Sequence, residues 1–100
     1  MKSFYDKIAD KIQNWEDASV SVRKWKKEGL KVVFTNGCFD LIHLGHLYYI
    51  AEAASLGEKL IIAVNSDESV KRAKGPHRPV KDLKTRINLL ASLQVVDLVV

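Results

Sequence analysis

Two imidazoles, His43 and His46, stand three positions apart with Gly45 between them, a few residues after the segment Gly37, Cys38, Phe39, Asp40. Positions three apart share one face once the chain begins to coil as a helix, so both rings can converge on one ligand. Gly45 keeps a side chain out of the space between them, and Gly37 is expected either to turn with positive φ or to let a ligand approach the backbone closely. Imidazole N–H groups, a glycine gap and the amino terminus of a helix together suit the oxygens of a polyphosphate. Neither a pair of neighbouring carboxylates nor a Ser-His-Asp arrangement accompanies them, which agrees with a site that holds and neutralises anions.

The elements around this segment are those that would place it at a ligand crevice. Residues 31–34 form an apolar run bounded by Gly29 and Gly37, the pattern of a buried parallel strand whose carboxyl end is at Asn36. Leu47, Ile50, Ala51 and Ala54 have helical spacing, and 59–64 is a second apolar run. The unit is therefore β-α-β with a right-handed crossover, and its crevice lies outside the carboxyl ends of the strands. Asn65 and Asp67 follow the second strand and are candidate substrate contacts, although Ser66 or Asp67 could equally cap a helical turn over 68–71. Residues 71–80 carry Lys71, Arg72, Lys74, His77 and Arg78 beside Gly75, Pro76 and Pro79, which predicts a basic loop that closes over phosphates. Asp82 then caps a helix over 83–93, with Leu83, Ile87, Leu90 and Ala91 inward and Arg86 and Asn88 off that face. A third strand over 95–100 is interrupted by Asp97.

Upstream, Phe4, Ile8, Ile12 and Trp15 predict an amphipathic helix over 4–15, and Ala18, Val22 and Trp25 a second over 15–27 that stops at Gly29. The expected division is a helical extension over 1–28 and an α/β domain over 29–100. Three strands leave an uncovered sheet edge, so the sequence is expected to be the amino-terminal part of a larger domain or to have that edge filled by another chain, as in a homodimer.

The 100 residues, 47% hydrophobic and 28% charged, suit one soluble globular domain. No apolar run approaches the roughly 20 residues of a membrane span. One cysteine, Cys38, cannot form an internal disulfide, which fits a reducing compartment and predicts the cytoplasm. The net charge of +4 suits phosphorylated partners, but its clusters at 23–27 and 71–74 are too dispersed for a nucleic-acid tract.

The run Gly-Cys-Phe-Asp-Leu-Ile-His-Leu-Gly-His, over 37–46, resembles the signature Gly-x-Phe-Asp-x-x-His-x-Gly-His of the cytidylyltransferase-like nucleotidyltransferases. The Ala-Val-Asn-Ser-Asp after the second strand, the Lys-Arg-x-Lys-Gly-Pro-x-Arg-Pro-Val segment and the later Arg-x-x-x-Leu are most similar to its D-glycero-β-D-manno-heptose 1-phosphate adenylyltransferases. The glycerol-3-phosphate cytidylyltransferases are close relatives. The resemblance implies a Rossmann-like open parallel sheet with flanking helices, here without the family's later Ser-Thr-Thr motif. It implies transfer of AMP from ATP to a sugar 1-phosphate, with Mg²⁺ carried by the nucleotide. The alternatives are CTP with glycerol 3-phosphate, or a module that binds nucleotide without turnover. His43 and His46 would hold the triphosphate, with Asn36, Gly37, Cys38, Phe39 and Gly45 beside the nucleotide and Asp40 near the substrate or the Mg²⁺ shell. Lys74, with Arg72 as the alternative, would bridge phosphates. Arg78 would face the acceptor and Arg86 would be catalytic.

Overall fold

The computed structural model describes residues 2–100. Among the described residues there are three parallel strands, β1 (Val32–Gly37), β2 (Lys59–Val64) and β3 (Leu98–Val99), ordered β1-β2-β3. They are joined by α3 (Leu44–Ala54), α4 (Asp67–Lys74) and α5 (Leu83–Ala91), and preceded by α1 (Phe4–Ala9) and α2 (Trp15–Lys27). The period-2 alternation of β2 divides the interior into two layers. Leu60 and Ile62 pack with Ile50 of α3, Leu90 of α5, Val96 and Val99 on one face. Ile61 packs with Ala18 of α2 and Leu98 on the other. Ile50, Ile62 and Leu90 have no exposed surface, and each contributes about 1.5–3 kcal/mol by leaving water. This sandwich fixes the sheet whose carboxyl edge carries the site.

The helix expected over 4–15 ends at Ala9. Beyond it the chain turns and Ile12 bridges Val99 in parallel, with Gln13 N–H donating to the Val99 carbonyl at 3.0 Å and Val99 N–H to the Lys11 carbonyl at 2.8 Å. Two backbone hydrogen bonds to an otherwise open strand outweigh another helical turn. Asn14 then sits in extended backbone to cap α2, accepting from Asp17 N–H at 2.7 Å. The apolar spacing from Phe4 to Trp15 therefore belongs to three local structures, and the β3 edge is covered by this chain's own residues. Ile8 and Ile12 pack against one layer of the core, and Ala18, Val22 and Trp25 of α2 against the other.

The opposite edge is β1. The Lys31 and Gly37 carbonyls accept from Glu58, Lys59 and Asn65 N–H groups on the β2 side. The alternate residues Val32, Phe34 and Asn36 accordingly turn their backbone outward, where no strand pairs with them among the described residues. β3 is shorter than the expected 95–100 because Asp97 uses its carboxylate to accept from Leu60 N–H at 2.7 Å. The basic segment also departs from expectation, since α4 continues to Lys74. Ser66 caps it, Glu68 and Arg72 pair one turn apart at 3.0 Å, and Gly75 with φ 108° ends it. Lys71, Arg72 and Lys74 are thus helical, and the loop begins at Gly75. The helix expected from Leu47 starts three residues earlier, at Leu44. No helix among the described residues is long and apolar enough to cross a membrane.

Candidate functional site

An open cavity of about 490 Å³ lies at the carboxyl end of β1. The backbone from Asn36 to Leu41 forms one part of its lining; His43, His46 and Tyr49, Lys74 of α4 and Arg78 of the following loop supply the rest. The two imidazoles are fixed by the helix they begin. His43 is the N-cap of α3, and its Nδ1 accepts from Gly45 N–H at 3.0 Å. His46 reaches back one turn, its Nδ1 accepting from His43 N–H at 3.1 Å. A neutral imidazole that accepts at Nδ1 carries its proton on Nε2, so the reciprocal cap leaves both Nε2–H groups as donors. The ring centroids are 4.1 Å apart. Burial, and then repulsion from the neighbouring His43 and Lys74, hold His46 below the usual histidine range, which favours that neutral form.

The glycines act for separate reasons. A Cβ on Gly45 would lie 2.8 Å from His43 Cε1, so glycine is what lets the capping ring fold over the helix start. A Cβ on Gly37 would lie 2.9 Å from Cε2 of Phe39. The left-handed backbone expected at Gly37 occurs instead at Phe39, with φ 49°. Phe39 is buried there with its ring centroid 5.7 Å from that of His46, closing the inner side of the cradle.

Asp40 lines the cavity but is occupied by the loop. Its buried carboxylate accepts from Arg78 Nε at 2.5 Å, Val80 N–H at 2.9 Å and Lys81 N–H at 2.9 Å. Burial alone would push this carboxyl up, but the Lys81 and Val80 N–H groups and the Arg78 guanidinium outweigh it and hold the pKa at about 2. Asp40, expected near the substrate or the Mg²⁺ shell, lines the cavity and also clamps Arg78 to it.

Arg86, expected off the apolar face of its helix, is completely buried. Its NH1 donates to the Cys38 carbonyl at 2.7 Å and the Asn65 carbonyl at 2.8 Å, its Nε to the Lys81 carbonyl at 3.0 Å, and its NH2 to Asp67 Oδ1 at 2.6 Å. One guanidinium ties together the turns after β1 and β2 and the loop before α5. Asn65 and Asp67 belong to this tie and not to the cavity lining; the Asn65 side chain donates to Ser69 Oγ at 3.3 Å. Arg72, the alternative to Lys74, pairs with Glu68 and is also outside the lining. Sequence reasoning missed Tyr49 and Leu41 as lining residues. Tyr49 could have been found, because it lies one further turn along the face carrying His43 and His46.

The cavity thus gathers His43, His46, Lys74 and Arg78 around backbone from Asn36 to Phe39, at a strand end facing a helix amino terminus. Among the described residues, no cluster of three His, Cys, Asp or Glu side chains is placed to hold a metal ion. Such a site defines an α/β domain whose first strand ends at a cavity lined by two imidazoles, a lysine and an arginine. The chain belongs to the cytidylyltransferase-like family, whose model matches residues 34–100. It is 50% identical over 92 residues to the bifunctional protein HldE of Magnetococcus marinus and 56% identical over 86 residues to that of Vibrio cholerae serotype O1. These alignments cover 92% and 85% of this chain but 19% and 18% of the relatives, so it spans less than a fifth of their length. The lipopolysaccharide core biosynthesis protein of Thermoplasma volcanium is similar in structure, with a TM-score of 0.65 and 33% identity over 70% of this chain and 56% of that one.

Proposed function

We propose that this chain carries the nucleotidyl-transfer site of an adenylyltransferase that moves AMP from ATP to heptose 1-phosphate in the synthesis of lipopolysaccharide precursors. The observation that carries the reading is the reciprocal histidine cap, which leaves an Nε2–H donor on each of two rings lining the cavity with Lys74 and Arg78. In the reaction an acceptor phosphate oxygen forms a bond to the α-phosphorus as the bond to the β-phosphate oxygen breaks, and pyrophosphate leaves. The acceptor is already ionised at neutral pH, so no general base is needed, in keeping with Asp40 being committed to three donors. His43 and His46 hold the α- and β-phosphate oxygens as charge builds, while Lys74 and Arg78 neutralise the departing pyrophosphate.

Mg²⁺ carried by the triphosphate would supply charge neutralisation there; the acidic side chain in the lining, Asp40, has its carboxylate engaged by the loop. The free Cys38 supports a cytoplasmic enzyme, and the unpaired edge of β1 with exposed Phe4 and Tyr5 supports a homodimer, which light scattering would test. The deciding assay is pyrophosphate release with ATP and with CTP, each against heptose 1-phosphate and glycerol 3-phosphate in Mg²⁺. Release with ATP and heptose 1-phosphate alone is the expected result. Release with CTP and glycerol 3-phosphate would move the substrate assignment. Nucleotide binding without release in any pair would leave a binding module.

A further inference from the structure

We propose that the hydroxyls of Tyr49 and Thr35 form a subsite for sugar hydroxyls beside the phosphate cradle, an inference that rests on the nucleotidyl-transfer reading above. Tyr49 follows His46 by one turn of α3, lines the same cavity and is half exposed. Its Oη lies 2.5 Å from Thr35 Oγ1 on β1, so the phenol is held in place rather than left to rotate in solvent. Within such a pair one hydroxyl donates to the other. The accepting hydroxyl keeps its own proton to give outward, and the donating one keeps lone pairs. The pair therefore offers a donor and an acceptor together at one fixed place.

That chemistry separates the two kinds of group a sugar nucleotide or sugar phosphate brings. Phosphate oxygens only accept, and they are matched by the donors on His43, His46, Lys74 and Arg78. A sugar hydroxyl both donates and accepts, and it is matched by a hydroxyl pair. The Tyr49 ring adds an apolar face for the C–H groups of a pyranose or ribose. Tyr49 also lines a neighbouring groove of about 340 Å³, together with Thr35, so the phenol is shared between the phosphate cavity and a space large enough for a sugar. The hydroxyls in question belong either to the ribose of the nucleotide or to the acceptor sugar.

Calorimetric titration of this chain, its Tyr49→Phe variant and its Thr35→Val variant tests the inference. The probes are tripolyphosphate, ATP, 2′,3′-dideoxy-ATP and heptose 1-phosphate. Phenylalanine keeps the ring, and thermal unfolding checks that each variant is folded. Tyr49→Phe is expected to weaken one hydroxyl-bearing ligand about tenfold, the effect of one hydrogen bond, while leaving tripolyphosphate unchanged. A loss with ATP that vanishes with the dideoxy analogue assigns the subsite to the ribose; a loss with heptose 1-phosphate assigns it to the acceptor. Unchanged affinity for both ligands in both variants, or an equal loss for tripolyphosphate, overturns the subsite while leaving the phosphate cradle intact. Failure of the unaltered chain to bind either tripolyphosphate or ATP overturns the cradle and the subsite together.

Discussion

Replacing Arg86 with methionine keeps the length and apolar stem of the side chain and removes every donor, so it measures what the guanidinium holds. Three backbone carbonyls, at Cys38, Asn65 and Lys81, lose a partner 2.7–3.0 Å away, and Asp67 loses its ion pair. An orphaned buried acceptor costs about 1–3 kcal/mol. The Asp67 side chain is 49% exposed and turns to water instead, so its share is small. Three such carbonyls, partly rehydrated where water can enter, come to about 3–5 kcal/mol. Against a domain stability of about 5–15 kcal/mol, that is a fifth or more of the whole. With a slope of about 1–2 kcal/mol per molar urea, the unfolding midpoint should fall by about 1.5–5 M. Arg86→Lys should fall between, since an ammonium keeps the charge for Asp67 but cannot serve three carbonyls in one plane. A midpoint for Arg86→Met within about 0.5 M of the unaltered protein, under 1 kcal/mol on the same slope, would refute the tie.

Three further outcomes follow from the site. His46→Ala should lower turnover by on the order of 10²-fold with the fold intact, as for loss of one transition-state donor; unchanged pyrophosphate release would remove His46 from the mechanism. Gly45→Ala should displace the His43 ring, whose Cε1 would lie 2.8 Å from the new Cβ, and cut turnover about tenfold or more through loss of a placed donor. Its melting temperature should barely move, because alanine's gain of about 1 kcal/mol as a helix former offsets a lost cap of about the same size; a melting shift with full turnover would contradict this. Asp40, with a folded pKa of about 2 against an ordinary value of 3.8, contributes stability that is complete above the ordinary value and is lost as pH falls through the folded one. The Val80 and Lys81 amide resonances should therefore hold constant down to about pH 4 and shift only below it, and movement at pH 5 would show that the clamp is not formed.

The parallel β-α-β frame was legible because apolar runs ended by glycine at 29, 37 and 57 have few alternatives, and β2 begins and ends where the pattern predicts. The anion cradle was legible in outline because its parts are local: His43, Gly45 and His46 arrange one another within four residues. What periodicity cannot show is a hydrogen-bond partner far away in the chain. Ile12 carries helical spacing yet pairs with Val99, and Arg86 falls on a polar stripe yet reaches Cys38, 48 positions back. Asp40, Asn65 and Asp67 were read as candidate substrate groups, with a helix cap as the alternative for Asp67, and their bonds to Arg78, Ser69 and Arg86 were not legible, since a polar side chain at a strand end gives no sign in sequence of partners elsewhere in the fold.

That distinction sorts the charged residues of the site by what remains to be bonded. Arg86 has all its nitrogens engaged and Asp40 accepts three hydrogen bonds, so neither has much left to offer a ligand. Arg78 gives Nε to Asp40 and retains both terminal nitrogens, Lys74 makes no ion pair among the described residues, and each histidine uses Nδ1 and retains Nε2. Buried polar groups must be satisfied within the fold, whereas a group held in place with donors unspent is poised for an anion that has yet to arrive. The residual donors converge on one cavity, and all are of the kind that a phosphate accepts.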